Sequence, residues 1–135
     1  MSLGDYVRLL RAKQGGHDHA AFAAAYGDAA TKQLHLLEMR QRDISDDALL
    51  EKIAAFYEVP LTEVQWHQRR SRKALSQYLL DTQLARRPVT VRLRTGEELT
   101  GELAGWDLTA IGLKQTDGSL LVVQRHAVID WAGNA

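Results

Sequence analysis

The sequence predicts an α+β protein, in which an N-terminal all-α half precedes a C-terminal, strongly bent, five-stranded antiparallel β-sheet that forms a small barrel. Two observations predict this class. Apolar residues recur at helical spacing up to about residue 66, whereas from Val89 onward they alternate with polar residues, as in strands with one buried face. Gly101 and Gly105 share a strand face with large apolar residues, and positions without a side chain let a strand curl over on itself.

The helical half is predicted to hold five helices, because each apolar stripe follows a residue that can cap a helix. The predicted caps or first residues are Ser2, Asp18, Asp28 or Ala29, Ser45 and Thr62. The predicted stops are Gly15-Gly16, Gly27 and Pro60. Thr62 and Gln65 have capping-box spacing, so the fifth helix is expected to be long and to run through a basic segment toward Leu80.

The β half is predicted to hold five short strands separated by turn signals. Thr95-Gly96 and residues 116–119 combine glycine with polar residues, as tight turns do. The last two strands are interrupted at residues 124–126. The expected strand segments are 89–93, 99–105, 111–113, 120–123 and 127–131.

The charge distribution separates a third segment from these two halves. The formal net charge is zero, yet from Arg69 to Arg87 there are six basic residues against one acidic residue, while residues 88–135 hold four basic against six acidic. The expected domains are a helical domain at 1–66, a basic connecting helix at 67–87 and a β domain at 88–135. The cations of the connector that are expected to contact phosphates are Arg69, Arg70, Arg72 and Lys73.

The composition and the histidine positions exclude several classes of site. There is no cysteine, which excludes disulfides and thiolate zinc sites. His17 and His19 have no third ligand adjacent, so neither a metal nor another cofactor is expected. No nucleophile or carboxylate accompanies His126 in a catalytic arrangement, and we therefore expect no enzyme. Without an apolar run of ~20 residues or a signal-peptide pattern, a cytoplasmic protein is expected.

Three segments of the β half occur together in one order: Pro88 to Gly101 with its glycine turn, Trp106-Asp107, and Arg125 to Val128. This combination resembles the two Sm boxes of the bacterial Hfq family. The resemblance implies an Sm-like fold, a cyclic homo-oligomer that is a hexamer as in that family, and binding of single-stranded RNA. The residues that it implies for RNA binding are Gln124, Arg125, His126 and Asp107, the last of which also orders its own loop.

Two departures from that family bear on which RNA is expected to bind. Thr109 stands where the family stacks a base on an aromatic side chain. Arg92, Glu97 and Thr100 stand where it holds adenine-rich RNA on the opposite face, so uridine-rich strands are favoured over adenine-rich strands. Arg125 is expected to be solvated at the ring pore, and the alternative is a strand-corner residue that hydrogen-bonds across a subunit boundary.

The helical half carries a second pattern, made of ordered apolar positions. Its members are Leu3-Gly4, Leu9-Leu10-Arg11, Phe22-Ala23 with Gly27, Leu34 with Glu38, and residues 53–59 before Leu61. This pattern resembles the helix-turn-helix of the phage-repressor (Cro and XRE-like) family and implies duplex DNA binding. The residues expected to contact DNA are Thr31, Lys32, Gln33 and His35, with His19 where the family has a phosphate-binding Gln. The alternative is a helical bundle that docks proteins, with an apolar patch at Leu36.

The predicted sheet leaves two edges that need cover. Because an unpaired edge readily pairs with another strand, residues 120–123 of one subunit are expected to pair with residues 128–131 of the next, in a ring.

Three functions remain open. The first is a regulator whose Sm-like ring binds RNA and carries a helix-turn-helix domain; the second is a DNA-binding repressor that uses the Sm-like part for oligomerisation. The third is a protein-interaction scaffold that binds no nucleic acid.

Overall fold

The computed structural model of the chain describes residues 1–16, 18–39 and 46–133. By its internal packing the chain divides into two compact units, Ser2–Ser71 and Arg72–Ala135. The predicted connecting segment, residues 67–87, crosses this division. None of the described helices is long and apolar enough to cross a membrane.

The first unit consists of helices. In the described ranges they are α1 (Leu3–Lys13), α2 (Ala20–Tyr26), α3 (Asp28–Glu38), α4 (Asp47–Tyr57) and α5 (Leu61–Gln68). Ser2 caps α1 as predicted, since its hydroxyl accepts from the N–H of Asp5 while the Asp5 carboxylate accepts from the N–H of Ser2. Two of the four free N–H groups at this helix start are thereby satisfied.

The next three helices begin close to their predicted positions. The Asp18 carboxylate accepts from the N–H of Ala20, so α2 starts two residues after the predicted cap. Only Gly27 separates α2 from α3, and its φ of 86° lies in the left-handed region that favours glycine. Asp46 caps α4, and the predicted cap Ser45 lies outside the described residues.

The predicted long fifth helix is wrong, because α5 ends at Gln68 and a further helix begins at Arg72. Near this end the N–H of Arg70 donates to the carbonyl three residues back, so the last turn tightens and the helical pattern stops. The start of α5 differs as well. Pro60 supplies the first acceptor carbonyl without a side-chain cap, and the predicted Thr62 capping box is not formed.

The apolar stripes of the five helices face a common interior. A Cβ atom at Gly4 would lie 2.2 Å from the carbonyl oxygen of Leu37, so only glycine lets α1 approach α3 this closely. The largest fully buried side chains of this unit are Val7, Phe22, Leu34, Leu49, Leu50, Ile53 and Val64. The predicted apolar stripes of the third and fourth helices are therefore confirmed.

The second unit contains α6 (Arg72–Ala85) and strands β1 (Val89–Leu93), β2 (Glu98–Trp106), β3 (Ala110–Lys114), β4 (Leu120–Gln124) and β5 (Val128–Trp131). The five-stranded sheet has the order β4-β3-β2-β1-β5, and every neighbouring pair is antiparallel. The first half of β2 pairs with β1 and its second half with β3. The predicted α+β class, helices followed by a five-stranded antiparallel sheet, is confirmed.

The bend in β2 depends on one of its two predicted glycines. A Cβ atom at Gly101 would lie 3.0 Å from the carbonyl oxygen of Lys114, so a larger residue there would push the crossing strands apart. A Cβ atom at Gly105 would meet nothing within 4 Å, although the register of β2 against β3 shifts between Leu103 and Gly105. Gly101 is therefore required by close approach, whereas Gly105 marks a bulge.

One face of the sheet is covered by α6. Leu75 and Leu79 of α6 belong to the same buried cluster as residues from every strand except β2. The other members of that cluster are Val89, Val91, Ile111, Leu113, Val123, Val128 and Trp131. The Tyr78 hydroxyl accepts from the N–H of Thr90 at 3.0 Å, which ties the helix to the main chain of β1.

The sheet ends in two edges, β4 and β5, that pair with no further strand among the described residues. On β4 the side chains alternate, and Val123 is buried while Leu120 and Val122 are 61% and 60% exposed. Large apolar side chains therefore lie exposed along an open edge, and such edges pair readily with another chain.

Candidate nucleic-acid interface

The predicted RNA-binding residues surround the 3₁₀ turn Arg125–Ala127, which joins β4 to β5. Gln124 and His126 are exposed, whereas Arg125 between them is only 4% exposed. The turn therefore presents two polar side chains outward and one cation inward.

Arg125 makes its side-chain hydrogen bonds inside the unit. Its Nη1 donates to the carbonyl oxygen of Asp107 at 2.7 Å, and its Nη2 donates to the carbonyl oxygen of Arg72 at 2.9 Å and to Ser76 Oγ at 2.7 Å. The buried Nε has no partner in the structure. Burial, with Arg72 as the next cause, lowers the pKa of the Arg125 guanidinium. The expectation that this side chain is solvated is wrong, because α6 brings a carbonyl and a hydroxyl over it.

Asp107 orders the turn between β2 and β3. One carboxylate oxygen, Oδ1, accepts from the N–H and the hydroxyl of Thr109 and from the N–H of Ala110, at 2.7–2.8 Å. These hydrogen bonds, the one from the Thr109 main chain first, lower the pKa of the Asp107 carboxyl. The side chain of Thr109 is thereby occupied within its own loop, while its neighbour Leu108 is 69% exposed.

The basic connector is not a single cluster. Arg69 and Lys73 are exposed. Arg70 is buried, and the Arg72 Nη2 donates to the carbonyl oxygen of Leu108 at 2.5 Å. Two of the four side chains that were predicted to contact phosphate, those of Arg70 and Arg72, therefore make contacts within the protein instead.

The outer face of β1 carries a row of alternating charge. Arg92 lies directly opposite Glu98 of β2 and, on its other side, directly opposite Asp130 of β5. Directly opposite residues of antiparallel strands project from the same face, so one cation stands between two carboxylates. These three side chains help to line a cavity of about 210 Å³. The Thr90 and Thr100 hydroxyls, which form the next pair on the same face, are 2.9 Å apart.

The predicted DNA-contacting residues of the helical unit differ in their surroundings. Lys32, Gln33 and His35 are exposed on α3. The Thr31 hydroxyl donates to the carbonyl oxygen of Gly27 at 2.8 Å and thus satisfies the main chain at the start of α3. His35 is also in edge-to-face contact with a second histidine, with ring centres 5.9 Å apart.

That second histidine, His19, forms part of a buried charge cluster. Its Nε2 lies 2.5 Å from Glu38 Oε2, and the other oxygen of the same carboxylate accepts from Arg11 Nε at 3.0 Å. Glu38 is buried, so the Arg11 cation compensates a carboxylate that is 4% exposed, and the His19 ring lies against its other oxygen. His19 is thereby engaged inside the unit.

Sequence reasoning assigned no role at these sites to three residues that shape them. Ser76 stands four residues after Arg72, at the spacing of one helix face, but nothing in its neighbourhood indicated a buried guanidinium. Trp66 precedes Arg70 by the same spacing and offers it a ring face. Glu38 occupies an apolar-stripe position on α3, and a charged residue in such a stripe is a signal that a buried partner exists.

Comparison with known proteins gives similarities among solved structures. No protein-family model and no curated protein matches the chain. Among solved structures, the chain is similar to a crystal structure of the pleiotropic translational regulator Hfq, with 19% sequence identity and a TM-score of 0.39. That similarity covers 42% of this chain and 93% of the other chain. The helix-turn-helix resemblance of the N-terminal half stays a prediction.

Proposed function

We propose that this protein is a non-catalytic nucleic-acid-binding regulator, whose β domain assembles into a hexameric ring that binds single-stranded RNA. The observation that supports the proposal best is the pair of open sheet edges, β4 and β5, with exposed Leu120 and Val122 on β4. Pairing β4 of one subunit with β5 of the next satisfies both edges at once. Repeating that contact closes a ring in which no edge is left.

The assembly is supported by the character of the β4 surface. An isolated sheet usually blunts its edges with charged residues or proline, and β4 (Leu120–Gln124) contains neither. Burying the apolar side chains of Leu120 and Val122 contributes to association at about 25 cal/mol per Å². A strand partner for β4 therefore has both hydrogen bonds and apolar burial to gain.

RNA binding is proposed for the face that carries the 3₁₀ turn. Gln124 and His126 are exposed there, and hydrogen bonds from buried Arg125 fix the turn beneath them. In a ring, symmetry copies of these two side chains converge and offer donors and acceptors to successive bases. Asp107 is proposed as the residue that keeps the adjacent loop in place.

The charge row on the outer face supports the proposed preference for uridine-rich over adenine-rich strands. The Arg92 cation there is flanked by the carboxylates of Glu98 and Asp130, so the local charge is net negative and phosphates are repelled. Trp131 lines the cavity on that surface but is only 8% exposed, so it offers adenine little ring surface for stacking. RNA is therefore proposed to bind the turn face, with the exposed Lys73 of α6 adding a phosphate contact.

A second candidate function is duplex DNA binding by the helical domain, with the β domain as an oligomerisation platform. It is favoured by the exposed row Lys32, Gln33 and His35 on α3, which are side chains able to contact base edges and phosphates. The other predicted DNA contacts would act indirectly. Thr31 bonds to the main chain at the start of α3, and His19 lies against Glu38.

Fluorescence anisotropy at two salt concentrations separates these functions. The probes are labelled oligo-U, oligo-A and a mixed-sequence duplex. The proposal predicts that oligo-U binds most tightly, and that its affinity falls as salt is raised. Preference for the duplex would transfer the function to the helical domain. Absence of binding to all three at low salt would contradict a nucleic-acid function and support a protein scaffold.

A further inference from the structure

We infer that Arg125 and Arg72 are positioning residues, which hold the Asp107–Thr109 turn against the start of α6. With these arginines engaged in positioning, His126 and Gln124 are the side chains that contact RNA, and this second step rests on the proposed function. The positioning role itself does not, because it concerns contacts within one subunit.

The first observation is the geometry of Arg125. Its two terminal nitrogens reach three acceptors on two segments: the carbonyl of Asp107 in the turn, and the carbonyl of Arg72 with the hydroxyl of Ser76 on α6. All three acceptors are neutral, and the side chain is almost fully buried. To meet a phosphate the guanidinium would have to leave these acceptors and expose the space that it fills.

The second observation is that Arg72 also bonds to the turn. Its main-chain carbonyl receives Arg125, while its own Nη2 donates across to the carbonyl of Leu108 in the turn. The main-chain N–H of Arg125 donates to the next carbonyl, that of Thr109, at 2.9 Å. All three consecutive carbonyls of the turn are therefore engaged by these two arginines.

Replacing Arg125 by lysine distinguishes its two possible roles, which are phosphate contact and positioning of the turn. A phosphate contact needs a positive charge at the end of a long side chain, and lysine supplies one. A positioning residue whose acceptors lie on different segments needs separated nitrogens in a planar fork. A single ammonium group cannot reproduce that arrangement. Arg125→Lys therefore separates a contact residue from a positioning residue.

The test uses the full-length protein with Arg125→Lys and Arg125→Met, and with Lys73→Gln and His126→Ala as controls. Hydrogen exchange is measured at the amides of Thr109 and Ala110, which donate to Asp107, and oligo-U affinity is measured across a salt series. We expect both Arg125 variants to speed exchange at these amides about tenfold or more. Both variants are also expected to weaken binding without changing the salt slope.

The controls are expected to behave in the opposite way. Lys73→Gln should reduce the salt slope by about 0.7 and leave exchange unchanged, and His126→Ala should weaken binding with unchanged exchange. Ser76→Ala, which removes a single acceptor, should speed exchange at the same amides to a smaller degree and serves if the Arg125 variants fail to fold.

Wild-type exchange and wild-type affinity in Arg125→Lys, together with a reduced salt slope in Arg125→Met, would overturn the inference and assign Arg125 to the RNA contact. If the unaltered protein does not bind oligo-U, the proposed function fails. The exchange rates still decide whether Arg125 positions the turn.

Discussion

The guanidinium carbon of Arg70 lies 3.6 Å from the centre of the Trp66 ring, and Arg70 Nη1 donates to the carbonyl oxygen of Trp66 at 3.0 Å. The side chain is 4% exposed. One cation of the basic connector thus stacks on its own helix end, where a charge over a ring face and a bond to a terminal carbonyl both stabilise the fold.

This relationship predicts that the basic residues divide into structural and phosphate-binding ones. Arg70→Gln should lower the free energy of unfolding by about 1–3 kcal/mol, because a stacked and hydrogen-bonded charge is lost. The double variant Arg69→Gln, Lys73→Gln should keep wild-type stability and reduce the salt slope of single-strand binding by about 1.4. Urea unfolding and anisotropy measure the two effects. Equal stability losses in both proteins would contradict the division.

The open edge of β4 predicts a variant that separates folding from assembly. Val122→Lys places a charge among side chains that are exposed in one subunit and that an adjacent strand would cover. We expect this variant to be folded by circular dichroism and to be a monomer by light scattering. Leu108→Lys is the matched control, since Leu108 is 69% exposed, against 60% for Val122, but lies in a turn. Dissociation by the control as well would show that the effect is not specific to the edge.

The buried His67 predicts a pH dependence of stability. Its ring stacks on Tyr6 at 3.9 Å, and burial, with help from the Arg70 charge, lowers its pKa from 6.5 to about 4. Between these values the unfolded chain binds a proton that the folded chain does not. Stability should therefore fall as pH drops from about 6.5 toward 4, by roughly 3 kcal/mol at most.

Urea midpoints at a series of pH values measure this dependence. His67→Gln should flatten the curve in that window, whereas His126→Gln should leave it unchanged because His126 is exposed. A curve that is unaffected by the His67 substitution would assign the dependence to other groups.

The Glu38 cluster predicts that His19 contributes to stability more than to DNA affinity. His19→Ala removes the side chain that lies against one oxygen of the buried Glu38 carboxylate, and we expect a loss of about 1–3 kcal/mol in the free energy of unfolding. If the helical domain binds duplex DNA, Lys32→Gln should instead reduce the salt slope by about 0.9 at unchanged stability. A His19 variant of wild-type stability with weakened duplex binding would restore His19 as a phosphate contact.

The fold could be predicted from the sequence where the signals are local. Period-2 alternation from Val89 and the Ser2 cap depend on neighbouring residues, and both predictions were met by the structure. The break after Gln68 could not be predicted. The last turn is tightened by the bond from the N–H of Arg70 to the carbonyl oxygen of His67, which the uninterrupted helical pattern of the basic segment does not reveal.

The candidate site was harder to predict because side-chain direction depends on the tertiary structure. Arg125 and His126 are adjacent in a single motif, yet the 3₁₀ turn sends the first inward and the second outward. What captures Arg125 is a pair of acceptors on α6, about fifty residues away along the chain. No local pattern links such distant residues.

The mass of the full-length protein in solution, measured by light scattering at about 10 μM and low salt, tests the central claim most directly. Pairing of β4 with β5 of the next subunit predicts a single closed species of several copies, six for a hexamer, whose mass does not rise with concentration. A monomer at that concentration would contradict the account, because both sheet edges would then persist unpaired in solution.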